Sequence, residues 1–403
     1  MERRHPELVS GSNWSPAREA ENWMLKQVQH DDEGTNSALA LYVHWPFCVS
    51  KCPYCDFNSH VRASIDQDSW RDALLADIAF EAQAWPQGPL TSIFFGGGTP
   101  SLMEPATVHA LIAAADRQWG LAADAEITLE ANPSSVEAAR FADLAAAGVN
   151  RVSLGLQSLD DAALRFLGRA HDVGEGLAAL ATAQRHFGRV SFDLIYALPG
   201  QSEGAWEAEL ARALGFGTGH LSLYQLTVEP GTRFAALAAK GAFTEKDPDE
   251  AATLYELTQA MTEAAGLPAY EISNHALPGE ESRHNLAYWR YRPYLGVGPG
   301  AHGRRGGTAT LRHKKPENFL SALARNGSGL AEEAPLASAD QGRERLLMGL
   351  RLREGVPLDT ILPVLDLAAV ARLERQGLVR RDTRRLYALQ PLLLDAILGE
   401  IAA

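Results

Sequence analysis

The chain contains 403 residues, of which 46% are hydrophobic and 22% are charged. These fractions are ordinary for a globular protein of about two or three domains. The formal charge of −13 at pH 7 should repel polyphosphate, which argues against nucleic acid as a partner. No apolar run reaches the ~18 residues of a membrane helix, and residues 1–16 lack the apolar core of a signal peptide. We therefore expect a cytoplasmic protein without a transmembrane segment.

Residues 1–38 are polar and show no apolar periodicity, so we expect a disordered or weakly docked extension. From residue 39 onward, short apolar runs rich in β-formers alternate with helical patterns. The predicted strands are 41–45, 92–95, 126–131, 150–155, 189–197 and 220–226. This order indicates an α/β fold of parallel βα units, either an open doubly wound sheet or a complete or partial barrel.

The remaining chain divides by composition. Residues 39–275 carry the strand and helix alternation, and residues 276–335 form a connecting region rich in His, Gly and aromatic residues. Residues 336–403 predict a small C-terminal domain, mostly helical, with a helix, a turn and a β-wing. Its simplest interpretation is a packing module.

Residues that could take part in binding or catalysis lie at or near the ends of successive predicted strands. Cys48 follows the first strand, the glycines 96–98 follow the second, and Glu130 ends the third. Gln157 follows the fourth strand, and Asp193 lies within the fifth, ahead of Leu198-Pro199-Gly200. Because parallel strands direct their carboxyl ends to one edge, these residues predict a single site.

Cys48, Cys52 and Cys55 are the only cysteines and lie within eight residues. An odd, closely spaced set excludes a disulfide framework and indicates metal binding in a reducing compartment. Zinc would need a fourth ligand, for which His44 or His60 is available. A cubane iron–sulfur cluster held by three cysteines would instead leave one iron open to a chelating small molecule. The spacing alone leaves both possibilities.

The segment LYVHWPFCVSKCPYCDFNSH (41–60) resembles the signature of the radical S-adenosylmethionine (SAM) superfamily. Within that superfamily the chain is similar to the group that contains oxygen-independent coproporphyrinogen III oxidase (HemN) and the heme chaperone HemW. The further matching motifs are GGGTPS (96–101), EANP (130–133), AGVNRVSLGLQS (147–158), LGRAH (167–171), DLIYALPGQ (193–201), LYQLTVEPGT (223–232) and RHNLAYW (283–289). The resemblance covers about residues 40–390.

The resemblance implies a partial (β/α)6 barrel over residues 39–275. It implies a [4Fe–4S] cluster on Cys48, Cys52 and Cys55, with SAM chelating the fourth iron. The residues that it implies as SAM contacts are Tyr42, Tyr54, Gly97, Gly98, Thr99, Glu130, Gln157, Arg169 and Asp193. Glycine suits such a contact because a Cβ would block close backbone approach.

Two features favour the chaperone branch over the oxidase. The oxidase pattern has a fourth cysteine two positions after the third, where this chain has Phe57. The motif HNLAYW (284–289) matches the HNxxYW pattern associated with heme binding in the chaperone branch. His284 is therefore the expected heme ligand, and His302 is a second candidate for heme or SAM.

The sequence thus favours a heme-binding carrier that delivers heme to an acceptor protein, with an electron donor required if SAM is cleaved. The alternative is a coproporphyrinogen III oxidase that decarboxylates porphyrinogen propionates by radical chemistry. A third possibility is a zinc-stabilised binding protein without redox chemistry. Whether the protein is an enzyme is left open, although oxidase activity is disfavoured.

Overall fold

The computed structural model describes residues 39–402, and the expectation for residues 1–38 lies outside the described residues. The strands are β1 Leu39–Trp45, β2 Phe47–Cys48, β3 His60–Val61, β4 Leu90–Gly97, β5 Leu121–Ala131, β6 Arg151–Gln157, β7 Arg189–Tyr196, β8 His220–Gln225, β9 Asn274–Ala276, β10 Tyr294–Val297, β11 His302–Arg305, β12 Thr308–Arg312, β13 Leu330–Pro335, β14 Val356–Pro357, β15 Val379–Arg381 and β16 Arg385–Ala388.

Helices occupy most of the connections between strands. They are α1 Gln67–Ala84, α2 Pro105–Trp119, α3 Ser135–Ala138, α4 Phe141–Ala146, α5 Asp161–Phe166, α6 Val173–His186, α7 Glu203–Leu214, α8 Arg233–Ala239, α9 Pro248–Ala264, α10 Arg283–Trp289, α11 Pro316–Asn326, α12 Ser338–Gly349, α13 Leu367–Arg375 and α14 Leu394–Ile401. Short 3-10 turns lie at Pro100–Leu102, Leu358–Thr360, Leu362–Val364 and Pro391–Leu393.

The main sheet has the strand order β13-β12-β11-β10-β1-β4-β5-β6-β7-β8-β9. The six predicted strands correspond to β1 and β4 through β8, and each pairs in parallel with its neighbour. Strands β13 and β9 stand at the two ends, so the sheet is not closed. The predicted α/β fold with a partial barrel of six βα units is confirmed.

The two faces of the barrel strands differ in chemistry. On the helix side of β1, Leu41, Val43 and Trp45 are fully buried and pack with residues of α1 such as Leu74. On the opposite face the strands carry polar residues that are also buried, among them Ser92, Thr128, Ser191 and Ser222. The helices therefore hold the sheet by hydrophobic burial, while the interior offers hydrogen-bonding groups to a site.

Residues 276–335, which we expected as a connecting region, extend the barrel sheet. Strand β10 pairs in parallel with β1, and β11, β12 and β13 continue it in antiparallel order. The C-terminal residues form a separate hydrophobic core around α12, α13 and α14, with the antiparallel pair β15 and β16 as a wing. The domain boundaries themselves stay a prediction.

A buried ion cluster fastens the sheet extension to the barrel. The guanidinium of Arg312 in β12 donates to Asp77 at 3.2 and 3.3 Å and to Glu81, both carboxylates lying on α1. All three side chains are fully buried. Asp77 also accepts from the Gly298 amide at 3.0 Å. The loop that follows β10 is thereby held against α1.

We predict that Arg312→Ala destabilises the protein by about 3–5 kcal/mol, because Asp77 would be left buried without its cation and Glu81 would keep only the more distant Arg305, at 3.8 Å. Urea unfolding followed by circular dichroism measures the loss. Arg71→Ala, which removes an exposed ion pair with Asp68 on the same helix, is the matched control and should unfold like wild type. Equal stability of the two variants would contradict the stabilising role of this buried ion cluster.

Candidate cluster and cofactor site at the barrel mouth

The three cysteines lie together where β1 ends. Cys48 ends β2, and Cys52 and Cys55 follow in a tight loop in which the Cys55 amide donates to the Cys52 carbonyl at 3.2 Å. All three are free thiols of intermediate exposure. Burial raises the pKa of Cys48 and of Cys55, and the charges of the neighbouring cysteines raise both further. The thiols are therefore close enough for their charges to interact.

Polar groups from other strands reach these sulfur atoms. The Thr99 hydroxyl donates to Cys48 Sγ at 3.5 Å, and Arg169 Nη1 donates to Cys52 Sγ at 3.4 Å. Donors of this kind stabilise thiolates, which are the form that binds metal. No three of the described His, Cys, Asp and Glu side chains converge on a single metal ion. In a cubane cluster each cysteine binds a different iron, so such a ligand set does not need to converge on a single ion.

His44 is not available as a fourth zinc ligand. Its Nε2 lies 2.9 Å from the Asn58 carbonyl, and its Nδ1 lies 2.9 Å from the Tyr42 hydroxyl. A carbonyl only accepts, so Nε2 carries the proton and Nδ1 accepts from Tyr42. Burial lowers the pKa of His44 to about 4, which keeps the ring neutral. Both ring nitrogens are therefore occupied by protein partners.

The carboxyl groups expected to contact SAM share the mouth of the barrel. The Gly97 amide donates to Glu130 Oε2 at 3.2 Å. Burial, followed by the charge of Asp193, raises the pKa of Glu130 to about 8. Burial also raises the pKa of Asp193 to about 6, although Ser153 donates to it at 3.3 Å. The ends of β5 and β7 thus bring two acids together, as the strand pattern predicts.

Arg169 links the cysteine loop to the strand ends. Besides Cys52, it lies 3.5 Å from the Tyr54 hydroxyl, and it donates at 2.5 Å to Asn132 and at 3.0 Å to the Gly155 carbonyl. Asn132 in turn donates to Thr99 at 3.1 Å. Asn132 was missed as a site residue, although its motif EANP was recognised. Its place directly after β5 is the signal that could have identified it.

Glycine at positions 97 and 98 is required by the chain's own packing. A Cβ on Gly97 would lie 2.5 Å from the His44 ring, and its φ of +114° is unfavourable for other residues. A Cβ on Gly98 would lie 2.6 Å from the Phe47 carbonyl. Gln157 adopts φ +70° without being glycine, at the end of β6. Such backbone strain is typical of functional sites.

His284 lies at the other end of the strands. Its Nδ1 is 3.1 Å from Ser92 Oγ near the start of β4, and its ring stacks on Phe94 at 4.8 Å. The Tyr42 and Tyr288 rings lie 6.2 and 5.0 Å away. Nε2 is buried without a hydrogen-bond partner, and burial lowers the pKa to about 3. The ring is therefore neutral and packed among aromatic rings, and its unpartnered nitrogen is buried.

A cavity of about 600 Å³ connects the cysteine loop with the barrel interior. Its volume lies within the ~300–1,000 Å³ of small-molecule sites. The residues that line it come from β1, the cysteine loop and β3, the ends of β4 and β5, α10, the segment from Gly300 into β11, and the segment after β12. They are Tyr42, His44, Lys51, Asp56, Phe57, Asn58, Ser59, His60, Gly97, Glu130, Tyr288, Gly300, His302 and Lys314. His284 is not among them.

Comparison with known proteins agrees with this geometry. The radical SAM superfamily profile matches residues 42–213, and the HemN C-terminal domain profile matches residues 336–388. The chain is 41% identical to the mitochondrial radical S-adenosyl methionine domain-containing protein 1 of Bos taurus, over 92% of this chain and 91% of that protein. It is 39% identical to the heme chaperone HemW of Escherichia coli K12, over 79% of this chain and 84% of that protein.

Among solved structures, coproporphyrinogen III oxidase (HemN) of Escherichia coli, described as a radical SAM enzyme, matches with a TM-score of 0.77. It is 25% identical, and the match covers 90% of this chain and 89% of that one. The chain belongs to the radical SAM superfamily, in the group that contains HemN and HemW. The family recognised from the motifs is therefore confirmed.

Within residues 39–402, no helix has the length and apolar character needed to cross a membrane. The expected cytoplasmic location stays a prediction.

We predict that Glu130 makes a contribution to the stability of the protein without SAM that falls as the pH rises from 6 to 8. Between the ordinary glutamate pKa of 4.5 and the folded value of about 8, folded Glu130 holds a proton that the unfolded chain releases. Buried histidines with lowered pKa, such as His44 and His284, change stability in the opposite direction, so the contribution is the difference between wild type and Glu130→Gln, whose amide does not ionise. Urea midpoints at both pH values measure it, with the exposed Glu207→Gln as control. An unchanged slope in Glu130→Gln would contradict the burial of this proton.

Proposed function

We propose that this protein is a heme carrier built on a radical SAM barrel, which binds heme beside a SAM-coordinated [4Fe–4S] cluster and delivers it to an acceptor protein. Support comes from relatives named heme chaperone at 35–39% identity, such as those of Escherichia coli and Bacillus subtilis. Further support comes from the motif HNLAYW on α10. The cluster and SAM would govern heme transfer or the conformation of the carrier.

One observation carries the proposal. Phe57, at the position of the oxidase's fourth cysteine, and Tyr288, of the HNxxYW helix, line the same cavity. Phe57 is 61% exposed, so an apolar side chain is presented where a ligand would lie. The two features that distinguish carrier from oxidase in the sequence thus belong to one binding space. An aromatic wall of this kind suits a macrocycle.

The chain's own residues define the cofactor positions. Cys48, Cys52 and Cys55 would hold the cluster, and the residues of the SAM set named above, of which Tyr42, Gly97 and Glu130 line the cavity, would contact SAM. Bound there, the cluster would supply redox chemistry and an open iron for SAM. Arg169 would hold the cysteine loop in a fixed position relative to β6 through its hydrogen bonds to Cys52 and Gly155.

His284 is the proposed heme ligand of the motif. A neutral imidazole whose Nδ1 is bonded to Ser92 leaves Nε2 free to bind iron. The rings of Phe94, Tyr42 and Tyr288 pack around this imidazole, so ligation requires some of these side chains to move. We infer that heme binding to His284 is coupled to a rearrangement of the aromatic side chains around it.

We predict that anaerobic reconstitution yields about four iron and four sulfide per chain, with absorbance bleached by dithionite. Cys52→Ala should lose this iron, because one cluster iron would lack its thiolate. His60→Ala should retain it, since His60 is a ligand only under the zinc alternative. Iron and sulfide analysis measures the result. Stoichiometric zinc without sulfide would support the zinc-stabilised binding protein instead.

We predict that hemin titration gives a Soret shift that saturates near one heme per chain, and that His284→Ala weakens it. Absorbance titration of the full chain measures this effect, with His109→Ala, on α2, as a control histidine. A titration without saturation, or with no dependence on His284, would contradict the assignment of the ligand.

The alternative function, coproporphyrinogen III oxidase, is tested directly. The reconstituted protein, incubated with coproporphyrinogen III, SAM and reductant, should give no protoporphyrinogen, since the site has Phe57 and the chaperone motif. HemN in the same assay is the positive control. Sustained turnover would overturn the carrier proposal and establish the oxidase.

A further inference from the structure

Two tyrosine rings are shared between His284 and the cavity beside the cysteine loop. The centre of the Tyr42 ring lies 6.2 Å from that of His284, the Tyr288 ring lies 5.0 Å from it, and both tyrosines line the cavity. Phe94 is the third ring packed on His284, at 4.8 Å, and it is not among the residues that line the cavity. A ligand in the cavity therefore lies against two of the three rings around this imidazole.

The packing around Tyr42 leaves the cavity as the direction in which its ring can move. Its hydroxyl donates to His44 Nδ1 at 2.9 Å, and its ring stacks at 6.3 Å on Phe94. A Cβ on Gly96 would lie 2.8 Å from Tyr42 Cε2, so β4 closes off that side of the ring. The part of Tyr42 that is not buried lines the cavity. A Tyr42 ring that moves away from His284 therefore enters the cavity.

Helix α10, which carries His284 and Tyr288, is held at both ends. At its start the buried carboxylate of Glu126 accepts from the His284 amide at 3.3 Å. Directly after its last turn, Arg290 pairs with Glu354 at 3.0 and 2.9 Å. Because the helix is held in this way, a rearrangement around His284 falls on the side chains rather than on α10 itself. For Tyr288, as for Tyr42, the open space beside the ring is the cavity.

We propose that SAM and heme bind antagonistically, because SAM in the cavity holds Tyr42 and Tyr288 against His284, whereas heme iron reaches His284 only when these rings move into the cavity. This inference rests on the proposed function and deepens it by naming how the heme site is regulated. Tyr42 and Glu130 of the SAM set line the cavity, which is why we place SAM there. Protein interiors are close-packed, so an occupied cavity leaves the displaced rings no space.

The antagonism gives the carrier an order of events. Heme is taken up while the SAM site is empty, and SAM binding then lowers the affinity for heme and favours its release to the acceptor. Only binding free energy is exchanged between the two sites, so no covalent bond breaks and no electron is transferred. By thermodynamic linkage, heme weakens SAM binding by the same factor by which SAM weakens heme binding.

The test is hemin titration of the full-length reconstituted protein, carried out anaerobically and without reductant so that SAM stays intact. We expect saturating SAM to raise the hemin Kd by about tenfold, within the range of about 5- to 150-fold that is typical of coupled sites. The rise should level off with further SAM, because coupling through the protein has a finite size. Saturating hemin should raise the Kd of SAM by the same factor.

Two results of this titration would overturn the inference and leave the carrier function standing. An unchanged or lower hemin Kd in SAM would show that the two ligands are not antagonists. A hemin Kd that keeps rising in proportion to the SAM concentration would show that heme itself occupies the cavity, so that the two ligands compete for one space.

Tyr288→Ala and Phe94→Ala are a matched pair of variants. Each removes a ring packed on His284, but only Tyr288 lines the cavity. Tyr288→Ala should bring the ratio of the hemin Kd with SAM to that without SAM close to one, because the space of the lost ring admits the rearrangement. Phe94→Ala should leave this ratio at the wild-type value, and so should Tyr288→Phe, which keeps the ring. Equal ratios in the two alanine variants would overturn the inference.

The titration without SAM separates this inference from the function on which it rests. A wild-type protein that binds no hemin there would overturn the carrier function and the inference together. Hemin binding that does not respond to SAM would overturn the inference alone.

Discussion

The partly buried guanidinium of Arg169 is the interaction on which the candidate site depends. It donates to Cys52, to Asn132 and to the Gly155 carbonyl, and so joins the cysteine loop to the ends of β5 and β6. A loop of half-exposed thiols has little hydrophobic burial of its own, so its position relies on such charge-assisted bonds. The loop is held from the other side by Asn58. The positions of the three cysteines and of the cavity beside them follow from these two anchors.

The two ends of the barrel strands carry different groups of side chains. At the carboxyl ends, thiols, carboxyl groups and glycine backbone form a polar site, in which burial and the charge of Asp193 raise the pKa of Glu130. Near the amino ends, α10 inserts His284 between aromatic rings and bonds it to Ser92. The cavity, which Tyr288 lines, connects the site at the carboxyl ends with the region of α10. In a carrier, this separation would allow the state of the cluster to affect heme release.

The C-terminal domain contacts the helix that bears the heme motif. Arg290, directly after α10, forms a two-point ion pair with Glu354 at 3.0 and 2.9 Å, and the Tyr291 hydroxyl donates to Glu344 at 2.6 Å. Tyr291 has φ +58°, a conformation that these contacts help to hold. The domain expected from the sequence to be a packing module therefore fixes one end of α10, whose other end lies in the barrel.

The sequence by itself determined the six parallel strands and the shared edge of Glu130, Gln157 and the cysteine loop, because periodicity and motif spacing are local properties; the three-cysteine ligand set stays a prediction. It also determined the family, through ordered motifs over most of the chain. Only the tertiary structure decided that β10–β13 extend the sheet, that Asn132 belongs to the site and that His284 is enclosed while His302 faces the cavity. These facts depend on contacts between residues far apart in the chain, such as Asn58 with Lys314, which no local pattern encodes.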